Sequence, residues 1–485
     1  MFKKWTSVLV FSSASLIATS SFSQQILPQS HNEVLSPSTT HLYDFTNVDQ
    51  LIMADVVKGF PGATLGVWYK GEIVNLSAYG YTKIHDENTP KRELGSGDHN
   101  NAVSLPDSEL VPTNVDTIYD LASNTKMYST NYALQYLVSQ GKLDLDSKVE
   151  EILPLFKDNY CEESAETCDI IQGKALVTVR DLLHHTAGNE PTVEYYMEEG
   201  ELYSQQREKT LELMLKTDLK YPPHTVAAYS DIDYMILGQI IEKLTGQRQD
   251  EFMDKTFYAP LGLDSTGYNL LAHPVNGHTY TSDQFGATEV YGNTREGQLT
   301  FENIRTYTLQ GEVHDEKTFY SMGGIAGHAG LFSNAQEMLT LMSLMMNGGS
   351  RDGVEYFTQD VIEEFVTLNP DFKDKGYALG WNVNYNKGKS WLFGDYASES
   401  TFGHSGWVGT ASLIDPENQV MIILLANKKN THIKMDCGSD FCGSFEGDSM
   451  NVGRYGVVME EVYKSLGLAD ETQFSTMSKG LLNWH

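Results

Sequence analysis

Cations are the scarce residues in this chain. Its 485 residues carry 34 Lys and Arg against 65 Asp and Glu, a net charge of −31. Nucleic-acid backbones are held by clustered cations, so this balance excludes a nucleic-acid-binding class. It also disfavours electrostatic docking on anionic lipid. Cysteine is almost as rare, at four. Their spacings lack the Cys-x2-Cys form and flanking His pairs that structural zinc sites use. Beyond the N-terminus no apolar run approaches the roughly 20 residues that a membrane helix needs. No Gly-x-Ser-x-Gly elbow occurs, because Trp407 holds the last position of the candidate at Ser405. Gly388-Lys389-Ser390 is not a phosphate loop, because position 383 is Val where that motif needs Gly. Internal repeats are absent.

What is present suits a globular enzyme. A 40% hydrophobic fraction with 11% aromatics supplies a large core and excludes wholesale disorder. At about 150 residues per domain the length gives about three domains, and one large two-lobed catalytic unit fits as well. Lys3 and Lys4, a short apolar stretch at 8–18, and Ser21-Phe22-Ser23 read as a secretory signal cleaved before Gln24. Retained, the same segment would anchor the chain in the inner membrane. No Cys lies near the cut, so a lipid anchor is not expected. The expected compartment is the bacterial periplasm. There Cys161 would pair with Cys168, and Cys437 with Cys442, each bridge closing one short loop.

The pattern along the chain divides it into a signal (1–23), a polar leader (24–44), one catalytic unit (45–467) and a tail (468–485). A helix is expected at 48–58, then strands at 63–69 and 72–81 about a Lys70-Gly71 turn. Residues 83–112 read as a charged loop. From 123 to about 365 helical periodicity prevails, with a helical lobe at about 140–260. Strands return at 402–415 and 419–427, and a last helix carries Val452, Tyr455, Val458, Met459, Val462 and Leu466 on one face. Strands from both chain ends must meet in one sheet. The expected fold is α+β, an antiparallel sheet with flanking helices and a helical lobe.

Three short motifs carry chemistry. Ser123-Asn124-Thr125-Lys126 opens a helix expected to run to about Gln140, so Ser123 and Lys126 share a face. A Lys in the first turn opposes the helix dipole. The same positive end would lower the Lys pKa and stabilise an oxyanion. A second Ser-x-x-Lys at Ser139–Lys142 contains Gly141, where the helix should stop. Tyr229-Ser230-Asp231 precedes an apolar helix, and His404-Ser405-Gly406 lies on the strand that starts near Phe402. Taken singly, each also reads as a helix cap or a close-packed strand. His184-His185 are adjacent and do not share a helix face, and the Gly-rich run 323–330 reads as tight turns near the cleft.

In that order the three motifs resemble those of the penicillin-recognising serine hydrolases, the β-lactamase and DD-peptidase superfamily. YDLASNTKMYSTN (119–131), YSDIDYMILG (229–238), VHDEKTFYSMGGIAGHAGLFS (313–333) and GHSGWVGT (403–410) resemble the penicillin-binding protein 4B group within it. The likeness covers about 45–465. It implies a D-alanyl-D-alanine carboxypeptidase with peptidoglycan stem peptides and β-lactams as ligands, and no metal or organic cofactor. An esterase, a class C-like β-lactamase or a non-turnover penicillin receptor would use the same scaffold. It further implies that Ser123 is the nucleophile, with Lys126 or Tyr229 as its base. The N–H groups of Ser123 and Trp407 would form the oxyanion hole. His404 would face the terminal carboxylate of the substrate or help relay a proton, Ser405 would offer a hydroxyl to the same end, and Gly406 would line the substrate site.

Two departures stand out. Asp231 replaces the usual Asn, and a carboxylate cannot donate to an acyl-amide carbonyl. It would instead hold Lys126 by a charge-assisted bond. His404 replaces the usual Lys. If its positive charge binds the carboxylate, affinity should fall as pH rises past about 6.5.

Overall fold

The computed structural model describes residues 43–87, 102–159, 170–197, 202–273, 275, 277–434 and 443–469. The expected secretory signal, all four cysteines with their expected pairings, and the expected tail past 469 lie outside the described residues. Helix α1 (Thr46–Val57) leads into strands β1 (Gly62–Tyr69) and β2 (Glu72–Gly80). Helix α2 spans Tyr132–Ser139, α3 Asp231–Thr245 and α4 Ala335–Met346. Strands β3 (Asn382–Val383), β4 (Phe402–Gly406), β5 (Thr410–Asp415) and β6 (Val420–Ala426) follow, and then α5 (Gly456–Ser465). The six strands form one antiparallel sheet in the order β3-β4-β5-β6-β1-β2. The join between the two chain ends is the β6–β1 pair, Ala63 opposite Ala426 through Tyr69 opposite Val420.

Period-two alternation sorts these strands between two cores. Leu65, Val67, Val420, Ile422 and Leu424 face α1 and α5, meeting Val48, Ile52, Val458, Met459 and Val462. Met421, Ile423 and Leu425 face the other way, toward Met338, Leu339 and Met342 of α4. All seven residues of β6 are buried, which explains a strand that reads as a continuous apolar run. The methionine-rich helix therefore packs under the sheet. Asn334 caps its start by accepting from the Glu337 N–H, and Gly348 and Gly349 follow its end. On that side of the sheet the larger core continues into the short helices Val149–Ile152, Val179–Leu183 and Arg207–Lys216, and into α3.

Three expectations need correction. The strand expected at 402–415 is a hairpin, β4 and β5, turned at Trp407-Val408-Gly409. Gly406 and Gly409 bracket the turn, and Gly409 adopts φ +132°, but the apolar Trp407-Val408 pair between them made the segment read as one strand. The helix expected from Ser123 to Gln140 is three pieces. They are a 3-10 turn (Ala122–Asn124), a π turn (Lys126–Asn131) and α2. Val452 and Tyr455 pack in the core but precede α5. No helix among the described residues is long and apolar enough to cross a membrane.

Leu424 is fully buried at the centre of this join, opposite Leu65 and Ala411. Leu424→Ala should lower the unfolding free energy by roughly 2–5 kcal/mol, read from urea denaturation. A loss below about 1 kcal/mol would mean that the join is not a principal source of stability.

Candidate active site

The turn that carries Ser123 is pinned on every side. Tyr119–Asp120 pairs with Leu331–Ser333, and Leu331 N–H donates to Thr125 Oγ1 at 3.1 Å. The buried carboxylate of Asp120 accepts from the Ala122 and His314 N–H groups, both at 2.7 Å. This hold keeps Ala122 at φ +45°, a strained value for a residue with a Cβ. The fully buried amide of Asn124 lies between β4 and β5, within 2.9–3.3 Å of Ser412 Oγ, Thr410 Oγ1, His404 O and Gly406 N. Gly406 is needed for this approach. A Cβ there would lie 2.2 Å from Thr410 Oγ1 and 2.4 Å from Leu121 O.

Lys126 is fully buried below Ser123. Its ammonium donates to Ser123 Oγ at 3.2 Å, to Asp231 Oδ1 at 2.8 Å and to His328 O at 3.1 Å. The Tyr229 ring centroid is 4.8 Å from Lys126 Nζ. Tyr229 and Asp231 flank the cap of α3, where Ser230 Oγ accepts from the Asp233 N–H at 3.2 Å. The cap reading of this triplet is therefore correct for Ser230, while its two neighbours reach the cleft. The Gly-rich run 323–330 reaches the cleft too. A Cβ on Gly327 would lie 2.0 Å from Tyr234 O of α3. The second Ser-x-x-Lys is structural, with Ser139 Oγ accepting from the Thr358 N–H and Lys142 exposed.

The charge states differ from those the sequence suggests. Burial pushes Lys126 down, but Asp231 and Tyr229 outweigh it and hold its pKa above the ordinary lysine value. The expected lowering by the helix dipole is thus reversed by a closer anion. Burial raises the Tyr229 phenol more than the Lys126 charge lowers it. Burial opposes the charge on Asp231 as well, yet Lys126 and Lys317 hold this carboxyl far below its usual range. The resting site contains an ammonium, a phenol and a carboxylate. His404 is pushed down to about 3 by burial and by Lys126, so it is neutral at physiological pH. Its Nδ1 lies 2.8 Å from Ser405 O, and Nε2 is buried without a protein partner. A positively charged His404 binding a carboxylate does not fit this environment.

Ser405 is half-buried on β4. Trp407 is not on a strand but in the β4–β5 turn, 41% exposed. Lys429 Nζ lies 3.7 Å and Arg295 Cζ 5.0 Å from its ring centroid. Neither the Ser123 nor the Trp407 N–H donates to a carbonyl of its own turn, so both remain available to an oxyanion.

Sequence reasoning missed a second layer of charge. Lys317 Nζ lies 3.3 Å from Asp231 Oδ2 and 3.4 Å from Asp315 Oδ2, and His328 Nε2 lies 2.8 Å from Asp315 Oδ1. Arg295 pairs with Glu289 and Glu316 beside it. Asp231, Asp315 and His328 bring ligand atoms within 4.8 Å of one another, as a cation site would, but two ammonium groups already lie against them. The charged run His314–Lys317 ahead of the Gly-rich turns was the available signal. Its burial was not readable.

A sheet built from both chain ends, with a Ser-Lys pair and a tyrosine at its edge, defines a β-lactamase-like serine hydrolase. The Beta-lactamase family model matches residues 48–435, and the chain belongs to that family. It is 44% identical over 421 residues to an N-acetylmuramyl-L-alanine amidase of Bacillus subtilis, covering 86% of this chain and 88% of that protein. It is 39% identical over 421 residues to an Escherichia coli K12 protein provisionally named D-alanyl-D-alanine carboxypeptidase, covering 86% and 90%. A penicillin-binding protein homologue from Caulobacter crescentus shares the fold, with TM-score 0.56 and 19% identity over 87% of this chain and 97% of that one.

Gly406→Ala should force β4 away from the Ser123 turn. We expect kcat/KM to fall by about 10²-fold with far-UV circular dichroism unchanged. Full activity in this variant would show that the close approach is dispensable.

Proposed function

We propose that this chain is an exported acyl-serine hydrolase that cuts an amide bond of peptidoglycan, and that it acts as a D-alanyl-D-alanine carboxypeptidase of the penicillin-binding protein 4B group. The observation that carries the reading is Ser123 Oγ at 3.2 Å from a buried Lys126 that Asp231 and Tyr229 enclose. Tyr229 first loses its phenolic proton to solvent, giving a phenolate that the Lys126 ammonium stabilises, and this phenolate then takes the Ser123 proton as Ser123 attacks the scissile carbonyl. The N–H groups of Ser123 and Trp407 stabilise the tetrahedral oxyanion. Proton return to the leaving amine follows the same path through Tyr229. Water then attacks the ester, and Ser123 is released. The four matching motif stretches support the group assignment, and the N-terminal pattern supports periplasmic export.

A second reading rests on two specific observations. Both oxygens of Asp231 are held by ammonium groups, so this position offers nothing to an acyl-amide carbonyl. His404 is neutral, so the strand offers no cation to a terminal carboxylate. A substrate with neither group beside the scissile bond suits this cleft. The bond between the lactyl carbonyl of muramic acid and L-alanine is of that kind when the peptide continues beyond L-alanine. The name of the Bacillus relative points to the same bond.

The deciding assay offers the mature protein a Lys-D-Ala-D-Ala peptide and a muramyl peptide, and follows D-Ala and free muramic acid. Release of D-Ala supports the carboxypeptidase, and release of muramic acid supports the amidase. Ser123→Ala should lower either rate by roughly 10³-fold or more. Undiminished turnover in that variant would exclude Ser123 as nucleophile.

The pH dependence is a separate check. With Lys126 and Tyr229 both held above their ordinary values, the basic form of the pair grows as pH rises. We expect kcat/KM to increase from pH 6 to 9. A falling limb centred near 6.5 would contradict a neutral His404.

A further inference from the structure

We propose that Lys317 is a positioning residue for Lys126, acting through the second oxygen of Asp231 and held in place by Asp315 and His328. The inference rests on the reading of Ser123 and Lys126 as the reacting pair.

The geometry is a chain of alternating charge. Lys126 Nζ holds Asp231 Oδ1 at 2.8 Å, and Lys317 Nζ holds Asp231 Oδ2 at 3.3 Å. Lys317 then reaches Asp315 Oδ2 at 3.4 Å. Asp315 Oδ1 lies 2.8 Å from His328 Nε2 and accepts from the N–H and hydroxyl of Thr318 at 2.8 and 2.9 Å. The chain closes on itself, because the carbonyl of His328 accepts from Lys126 at 3.1 Å. Two ammonium groups, Lys126 and Lys317, face two carboxylates, Asp231 and Asp315. An aspartate held from one side only could rotate and carry Lys126 away from Ser123. Held from both sides, it fixes the ammonium 3.2 Å from the nucleophile. Lys126 and Lys317 each open a π-helical turn, the wider turn often found at functional sites.

The groups that face this network come from several elements. Tyr229 and Lys126 lie on the Ser123 side of Asp231, His328 comes from the Gly-rich run, and Glu194 and Glu316 act on Lys317. Each bears on how the Lys126–Tyr229 pair titrates, so charge changes at Lys317 and Asp315 must act on it with opposite sign. Removing the Lys317 cation makes the Tyr229 phenolate harder to form. Removing the Asp315 anion makes it easier to form.

The test compares Lys317→Met, Lys317→Arg, Asp315→Asn and the charge-neutral double variant Lys317→Met/Asp315→Asn. For each, kcat and KM are measured from pH 6 to 10 on whichever substrate the wild type turns over. Tm is recorded alongside, and covalent labelling by a fluorescent penicillin is compared with Ser123→Ala. For Lys317→Met we expect kcat to fall at least tenfold with KM within threefold, and the acidic limb to move up by about one pH unit. Asp315→Asn should move that limb down. The double variant should return it to within about half a unit of wild type, and Lys317→Arg should keep most of kcat. Limbs that move in the same direction, or do not move, would overturn the inference. If Lys317→Met does not fold, Asp315→Asn and Lys317→Arg decide by the same criteria. Labelling that persists in Ser123→Ala would instead overturn the nucleophile reading itself, a separable failure.

Discussion

An ammonium group without access to water must be paired, because an uncompensated buried charge costs several kcal/mol. At the floor of this cleft Lys126 meets that condition through Asp231, and the rest of the site is arranged around the pair. Ser123 takes its place from the third direction of the same ammonium, and Tyr229 presents its ring to it. The carbonyl of His328 accepts another of its hydrogens. These partners lie between 3 and 202 positions from Lys126 in sequence. Only a fold that brings distant segments to one edge can supply them.

The sheet does this by joining the chain ends. β6 and β1 pair along their full length, and β5 and β4 extend from them to the Ser123 turn. Contact there is backbone against backbone, which is why Gly406 is without a side chain and Asn124 is fully buried. The strained φ of Ala122 belongs to the same constraint. The turn is compressed between Asp120 on one side and β4 on the other, and the close contacts around it hold the less favourable conformation.

Much of this was legible because it is periodic or local. The β1–β2 hairpin follows from apolar spacing and its turn residues, and its bounds fall within a few positions of expectation. The site motifs were legible because their residue types are unusual together. What stayed hidden depends on tertiary contact. The hairpin at Trp407 has no polar turn signal. The titration of Lys126 follows from Asp231, 105 positions away, rather than from its own helix. The second layer at Lys317 and Asp315 depends on tertiary contact, because only the fold buries Lys317 and sets it between Asp231 and Asp315.

The two departures from the superfamily pattern are one change seen twice. A Lys on β4 with a neutral Asn near α3 would place one positive charge along the substrate strand. Here the strand residue is a neutral His404, and the position near α3 is an anion already held by two cations. Positive charge here lies beneath Ser123, on Lys126 and Lys317, rather than on β4. On the proposed mechanism it stabilises charge that develops on Ser123 and Tyr229. On the amidase reading this arrangement suits an internal amide, whereas on the carboxypeptidase reading a free terminal D-alanine must be held without a cation on β4.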